Sequence, residues 1–414
     1  MDSRHTLPYR PAPRCQISTA RGANLCPDEG LEKDTRHKVK NRLAWLRRVV
    51  AVSLIAGLLV SAKAWVSDRP YPLVPPIGIG PSLPYPADHI FFALLVALLV
   101  GVALLRWRVA GSLALTAPVL AAFFVLQDIS RLQPWLYQYS FMLAAAGLSG
   151  IGRLDAQKAL NACRLIIAFT YFWSGLQKAN ASFAKDDYPW LLEPLLARLP
   201  PAAEPLLLPG AYAVPVVEVA IGLGLLGRRT RKPAVVGALL MHVFILFAIG
   251  PFGHNWNSVV WPWNLAMIAF VLILFWRPPD EPSLTTILRP RGSVCHAAIL
   301  VLFAFMPAFN FFGLWDSYLS SSLYSGRTEK GYVWTLDSGG LRAMSIDRVA
   351  LNEMNLPGYP EERVYKKVFA KRWCEETSAS ALPVLAVHST PEIFSGERSV
   401  KYYRCEDVRA VGAE

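Results

Sequence analysis

The amino-acid sequence predicts an all-α polytopic membrane protein with about nine transmembrane helices and a small α+β or β-rich extracytoplasmic C-terminal domain. Of its 414 residues, 53% are hydrophobic and only 17% are charged, whereas about a quarter of the residues in an ordinary soluble domain carry a charge. Apolar runs of about 16 to 19 residues recur between residues 49 and 312, and each is just long enough to cross a bilayer as a helix. Residues 313–414 are instead rich in charge and in short mixed stretches that are typical of strands.

Nine apolar runs define the predicted transmembrane helical domain. They cover approximately residues 49–66, 87–105, 109–126, 135–152, 161–178, 211–226, 234–252, 258–276 and 294–312. Before them, residues 1–48 hold eleven Lys and Arg, five acidic residues and no apolar periodicity, which predicts a disordered basic cytoplasmic tail. The chain is thus expected to comprise this tail (1–48), a helical membrane domain (49–312) and an external domain (313–414).

The distribution of cationic residues predicts the orientation of the chain in the membrane. Alternate connections between the runs hold twelve and five Lys and Arg residues, and the basic tail precedes the first run. Because cationic loops resist translocation, we expect the N-terminus in the cytoplasm of a bacterial cell and the C-terminal domain outside its inner membrane. The formal net charge of +12 is then a mark of topology, and the expected partner is the lipid bilayer rather than nucleic acid.

The cysteine residues and one glycine motif have structural interpretations. Cys374 and Cys405 lie in the predicted external domain, where disulfides persist, so they form either a bridge or two buried thiols. Gly222, Gly224 and Gly227 match the dinucleotide-binding pattern G-x-G-x-x-G, but they lie in an apolar run with no preceding strand, which favours close helix packing. No spacing of His and Cys residues indicates a metal site.

Three ionisable residues within the predicted spans are candidates for catalysis, because polar groups are costly there and usually face the protein interior or water. Lys178 stands at the outer end of its span, where it either snorkels to the headgroups or, buried among aromatic residues, acts as a general base. Glu218 lies too deep to snorkel, so pairing with Lys178 or His242 is the economical arrangement. His242, near mid-span, is either a packing histidine or a proton-transfer group.

Further polar and aromatic residues are candidates for a substrate pocket. Asp128 and Arg131, three residues apart just outside the third span, form either a local ion pair or part of the pocket. The stretch from His254 to Asn264 is dense in aromatic and amide groups, and it predicts either an interfacial aromatic belt or a wall of a pocket for a flat ring. The candidate pocket residues are Asp128, Arg131, Trp173, His254, Asn255, Trp256, Trp261 and Trp263.

One segment of the sequence resembles a known family of membrane enzymes. Residues 171–183, YFWSGLQKANASF, are similar to the aromatic, Gly, Lys and Asx stretch of vitamin K-dependent γ-glutamyl carboxylases and their bacterial relatives, the horizontally transferred transmembrane (HTTM) family. Residues 128–131 (DISR) and 137–139 (YQY) resemble the family segment before this motif, and residues 313–318 (GLWDSY) and 323–326 (LYSG) resemble the exit from its last membrane helix. The resemblance covers roughly residues 125–330.

In carboxylases of that kind, a lysine of this motif deprotonates vitamin K hydroquinone, and oxygen then generates the strong base that removes a glutamyl proton. The resemblance implies that Lys178 is the base and that a reduced quinone is the cofactor. It also implies a periplasmic peptide as the partner. From their positions in the spans, Glu218 and His242 are expected to tune the protonation of Lys178. Where the family has a catalytic histidine before its Tyr-x-Tyr pair, however, this chain has Trp135.

A second resemblance supports an alternative function. Residues 174–178 (SGLQK), followed by Glu218, the glycine run and the Met241-His242 pair, are similar to the DoxX and MauE type of redox-associated membrane bundle. This resemblance implies four helices between residues 161 and 276. It also implies that the chain is the membrane partner of a periplasmic redox protein and has no catalytic activity of its own. A proton-coupled transporter is a third possibility. Residues 125–276 are the expected core because they hold the motifs of both families.

Overall fold

The computed structural model describes residues 27–77, 80, 83–289, 292–337, 340–375 and 383–411. Twelve helices occupy the apolar part of these described residues. They are α1 (Pro27–Val60), α2 (Ala87–Leu104), α3 (Trp107–Gln127), α4 (Pro134–Gly150), α5 (Ala156–Lys178), α6 (Tyr188–Leu196), α7 (Glu204–Leu207), α8 (Gly210–Leu226), α9 (Arg231–Ile249), α10 (Val260–Phe275), α11 (Leu284–Leu288) and α12 (Val294–Ile299). The last apolar segment continues from α12 as a π-helical stretch, Leu300–Phe305, and a 3-10 stretch, Met306–Phe312.

All nine predicted apolar runs are helical, and the polytopic helical fold is confirmed. Among the described residues, six helices are long and apolar enough to cross a membrane, or seven if the bent pair Pro201–Leu207 and Gly210–Leu226 forms one span. The six are Glu32–Val60, Ala87–Leu104, Trp107–Gln127, Ala156–Lys178, Arg231–Ile249 and Val294–Phe312. The other two predicted runs form shorter helices, α4 with 17 residues and α10 with 16.

The expectation of a disordered tail over residues 1–48 is corrected by helix α1. Residues 1–26 lie outside the described part of the chain, but α1 begins at Pro27 and runs without a break into the first apolar segment. The charged residues favour this helix because opposite charges stand four positions apart, which stabilises helices. Glu32 and Arg36 form one such exposed ion pair, and Asp34 and Lys38 form another.

The C-terminal part of the chain is a small α+β domain, as predicted. Its elements are β1 (Lys330–Asp337), β2 (Gly340–Ser345), α13 (Ile346–Met354), α14 (Glu362–Phe369), β3 (Val384–His388), β4 (Val400–Tyr403) and α15 (Cys405–Val411). The four strands form one antiparallel sheet in the order β2-β1-β3-β4. Val333 and Leu385, paired across β1 and β3, are completely buried. A disulfide joins Cys374 to Cys405, and it ties the end of the segment after α14 to the start of α15.

The sheet domain covers the end of the helical bundle at which α5 terminates. Asn355 of this domain donates to the carbonyl oxygen of Val60 at 2.9 Å, and Asn180, just after α5, donates to that of Ser325, in the segment that leads into the domain, at 2.8 Å. The backbone amide of Ala181 donates to the carbonyl oxygen of Ile393 at 2.9 Å. The residues around the end of α5 are therefore enclosed by the sheet domain.

A buried polar cluster stabilises the same end of the bundle. Arg69 forms an ion pair with Asp128 in which both side chains are at most 1% exposed. Arg131 does not form the local ion pair with Asp128 that the spacing suggested. Its guanidinium donates instead to the carbonyl oxygens of Ala64 and Phe124, at 2.8 and 2.9 Å. Asp128 and Arg131 thus join the turn after α3 to the segment after α1.

We expect the substitution Arg69→Met to lower the free energy of unfolding by about 3–5 kcal/mol, because it leaves the buried Asp128 carboxylate without its cation. The control is Arg36→Met, which breaks an exposed ion pair with Glu32 and should cost about 0.5 kcal/mol or less. Reversible unfolding in detergent measures both values. Equal losses for the two variants would show that the Arg69 ion pair is not structural.

Candidate functional site

A cavity of about 150 Å³ lies between α5, α8, α9 and α10, at the end of the bundle that the sheet domain covers. Its lining is mostly apolar and contains a few polar groups, which is the usual composition of sites for small organic molecules. The polar groups on the four helices are Thr170, Tyr171, Ser174, Lys178, Glu218, His242 and Asn264. Three of the residues predicted from the sequence, Lys178, Glu218 and His242, are therefore brought together at one cavity.

Lys178 and Glu218 form a buried ion pair in the wall of this cavity. The Nζ atom of Lys178 lies 2.9 Å from Oε2 of Glu218, and the two side chains are 9% and 5% exposed. Nζ also donates to Oγ of Ser174, one helical turn earlier on α5, at 2.6 Å. Lys178 is the last residue of α5, and its ammonium reaches Glu218 on α8. The pair supplies the cavity with one charged donor and one charged acceptor.

Helices α5 and α8 approach closely because glycine residues face the neighbouring backbone. A Cβ atom at Gly175 would lie 2.7 Å from the carbonyl oxygen of Pro215, and one at Gly222 would lie 2.6 Å from that of Ala168. Both distances are too short for a real Cβ atom, so only glycine permits this contact between the helices. The geometry at Gly222 agrees with the interpretation of the glycine motif as helix packing.

A second hydrogen-bonded group, without an ion pair, borders the same cavity. The hydroxyl of Tyr171 lies 2.6 Å from Nε2 of His242, and Nδ1 of His242 lies 2.7 Å from Oδ1 of Asn264. The amide nitrogen of Asn264 donates to the carbonyl oxygen of Val260 at 2.8 Å, which fixes the orientation of the amide. Nδ1 of His242 therefore donates to Asn264, and in the neutral imidazole Nε2 is then the acceptor for the hydroxyl of Tyr171.

Of the eight predicted pocket residues, only Trp263 lines the cavity. Its indole nitrogen donates to Oε1 of Gln138 at 2.8 Å, which fixes the ring at the wall. Trp173 is buried elsewhere, with its ring centroid 5.1 Å from that of Phe172 and 6.5 Å from that of Phe311. Asp128 and Arg131 belong to the polar cluster near Arg69 described above, and they do not line the cavity.

The remaining predicted residues cap the C-terminal end of α9. Backbone amides of His254, Asn255 and Trp256 donate to the carbonyl oxygens of Ala248, Gly250 and Ile249, and the indole of Trp261 donates to that of Ile249 at 3.1 Å. The last carbonyls of a helix have no partner within it, so the chain that follows commonly supplies donors. The imidazole of His254 also stacks on Trp190, with 4.2 Å between ring centroids. These contacts hold residues 254–261 at the end of α9.

Some residues of the site were not predicted as such. Tyr171, Ser174 and Lys178 lie three and four positions apart on α5, so the helical period places them on one face. From that spacing, Tyr171 and Ser174 could have been predicted to lie beside Lys178. Tyr188 and Tyr324 also line the cavity, but they come from α6 and from the segment before the sheet domain. Nothing in their local sequence connects them to α5.

Trp135 lies away from the cavity. It is 1% exposed, and its ring packs against α1, where a Cβ atom at Gly57 would lie 3.1 Å from the indole. Among the described residues, no group of three or more His, Cys, Asp or Glu side chains is arranged to hold a metal ion.

Comparison with known proteins identifies a relative of the central helices. Residues 156–277 match the family model of the methylamine utilisation protein MauE. The match includes α5, α8, α9 and α10, and therefore Lys178, Glu218, His242 and Asn264. No curated protein and no solved structure matches the chain. The similarity is to a family of redox-associated membrane proteins, and it agrees with the second of the two resemblances seen in the sequence.

We expect Gly175→Ala to destabilise the protein by about 1–3 kcal/mol, because the added methyl group forces α5 and α8 apart. The matched control is Gly237→Ala on α9, where a Cβ atom would meet only the Ile221 side chain at 3.3 Å. That variant should be neutral, or stabilised by up to about 1 kcal/mol through its higher helix propensity. Unfolding in detergent measures the difference, and equal stability of the two variants would contradict close packing at Gly175.

Proposed function

We propose that this chain is the membrane component of an extracytoplasmic redox system, and that its cavity binds a lipophilic redox molecule of the reduced-quinone class. The observation that carries the proposal is the buried Lys178–Glu218 ion pair in the wall of an apolar cavity. Ionisable groups inside a membrane are costly, and those that persist usually mark sites of function. The similarity of this region to MauE supports a redox setting.

The chemistry of the cavity suits a hydroquinone ring. An apolar cavity of about 150 Å³, engineered into another protein, binds benzene, so a space of this size holds a single ring. The carboxylate of Glu218 accepts a hydrogen bond from a ring hydroxyl, and the ammonium of Lys178 donates one to a ring oxygen. Trp263 and Met267 supply flat and polarisable apolar surface. We assign Lys178 and Glu218 to ligand binding, and His242 to holding the hydroxyl of Tyr171 at the wall.

The redox-partner function is favoured over carboxylation. The carboxylase resemblance requires a histidine at the position of Trp135, and the indole of Trp135 packs against α1 instead of the cavity. Its motif residues are equally consistent with a MauE-like bundle, because Lys178 and Glu218 both lie in the matched region. We therefore propose no carboxylation step for this chain.

We further propose that the sheet domain is extracytoplasmic and that the N-terminus is cytoplasmic. The disulfide between Cys374 and Cys405 supports this orientation, because disulfides persist in oxidising compartments. The basic turn between α8 and α9, which holds Arg228, Arg229 and Arg231, would then lie on the cytoplasmic side.

Labelling with a membrane-impermeant maleimide tests this orientation in spheroplasts. Glu397→Cys, in an exposed loop of the sheet domain, should react without lysis, whereas Arg229→Cys, in the exposed basic turn, should react only after lysis. Both variants carry serine in place of Cys15, Cys26, Cys163 and Cys295, and Cys374 and Cys405 have no free thiol because they form a disulfide. The reverse pattern would show that the sheet domain is cytoplasmic, and the proposal of an extracytoplasmic partner would fail.

Quinol binding tests the function directly. We expect the protein in lipid nanodiscs to bind duroquinol, a quinol without a tail, saturably under anaerobic conditions, as measured by equilibrium dialysis of the labelled compound. The double variant Lys178→Met/Glu218→Leu should bind at least about tenfold more weakly, because hydrogen bonds to charged groups contribute about 1.5–3 kcal/mol. Replacing both charges together avoids leaving either one buried without its partner.

The matched control for this experiment is Lys63→Met, which removes an exposed lysine near the same end of the bundle and should leave the affinity unchanged. Absence of saturable binding to the wild-type protein would refute the quinol assignment. Equal affinity of the wild-type protein and the double variant would remove the ion pair from the site.

A further inference from the structure

A second cavity, of about 410 Å³, lies beside the first at the end of α5. It is enclosed by the first turns of α8, by residues 179–185 and by residues 393–394 of the sheet domain. Among the residues that line the two cavities in the described part of the chain, Lys178 alone borders both. The two spaces are therefore neighbours across Lys178, the cation of the buried ion pair.

The two cavities lie on different faces of α8. Val214 and Glu218 line the inner cavity, whereas Tyr212 and Val216 line the second one. Tyr212 and Val216 are 76% and 67% exposed. Large apolar side chains exposed on a membrane helix face lipid, so the second cavity opens sideways towards the bilayer.

The chain around the second cavity is suited to the passage of an amphiphilic molecule. Four alanines line it and leave room, namely Ala179, Ala181, Ala184 and Ala211. Phe394, which is 94% exposed, projects from the sheet domain at the same place. An aromatic side chain at the boundary between the bundle and the external domain is in the position at which aromatic residues contact lipid headgroups.

We propose that the second cavity is the lateral access path from the bilayer to the inner cavity, that it holds the tail of the bound molecule, and that Lys178 is its gate. The proposal rests on the function proposed above. The inner cavity has room for a ring but not for a long apolar tail, so a tailed ligand must extend into a neighbouring space. The side chain of Lys178 has four methylene groups with many rotamers, and only its hydrogen bonds to Glu218 and Ser174 hold it between the cavities.

The test compares two quinols in nanodiscs, duroquinol without a tail and decylubiquinol with one. Ala211→Trp fills the second cavity without adding atoms to the inner one. We expect this variant to slow both the association and the dissociation of duroquinol at least tenfold, with an unchanged dissociation constant. Decylubiquinol should bind at least tenfold more weakly to the same variant, because the new indole occupies the space that its tail would fill. Stopped-flow kinetics measure the rates.

Two further variants keep the result interpretable if Ala211→Trp does not fold. Phe394→Ala removes an exposed side chain from the mouth and should accelerate the association of both quinols. Val217→Trp also places an indole on α8, at a residue that is 51% exposed and lines neither cavity, so it should leave all rates unchanged.

The outcomes separate this proposal from the proposed function. If the wild-type protein binds neither quinol, the function fails and the access path fails with it. If quinols bind but their rates are the same in Ala211→Trp and Phe394→Ala as in the wild-type protein, the ligand reaches the cavity by another route and only the access path is overturned. The access path is also overturned if Val217→Trp changes the rates as much as Ala211→Trp.

Discussion

The ion pair between Lys178 and Glu218 constrains the rest of the membrane domain. Either charge alone would be strongly destabilising inside an apolar bundle, so α5 and α8 must keep the relative position that joins them. A shift of one residue along α8 would turn Glu218 by about 100° away from α5. The glycines at 175 and 222 permit the close approach that this register requires, and the cavity is the space left between these helices and α9 and α10.

The cavity therefore has two polar regions of different character. On one side, a lysine and a carboxylate supply a charged donor and a charged acceptor. On the other side, Tyr171, His242 and Asn264 form a chain in which each hydrogen bond fixes the next group. Because Tyr171 and Ser174 lie on the same face of α5 as Lys178, one helix positions both regions. A ligand bound between them, as proposed above, would contact polar groups that the bundle already holds in place in an otherwise apolar space.

The fold class could be predicted from the sequence because hydropathy reports directly on membrane helices, and all nine apolar runs proved helical. The pairing of Lys178 with Glu218 could also be predicted from the sequence, because two opposite charges buried in the same bundle have few other partners. The helix over residues 27–48 was missed because charge composition was given more weight than the spacing of opposite charges. Composition alone did not separate the residues after α9 that cap the helix from Trp263 and Asn264, which line the cavity. The contribution of Tyr324 depends on the tertiary fold alone.

The residues that complete both cavities lie outside the region that is similar to MauE. The matched region ends at residue 277, whereas Leu323 and Tyr324 line the inner cavity and Ile393 and Phe394 line the second. The hydroxyl of Tyr324 accepts a hydrogen bond from Asn257 at 3.0 Å, which ties this segment to the chain between α9 and α10. The helices thus supply the charged chemistry, and the C-terminal segments supply the shape and the opening of the site. If a bundle of this type binds different molecules in different proteins, the segments that cover it are where the difference would arise, because they can change without moving the ion pair.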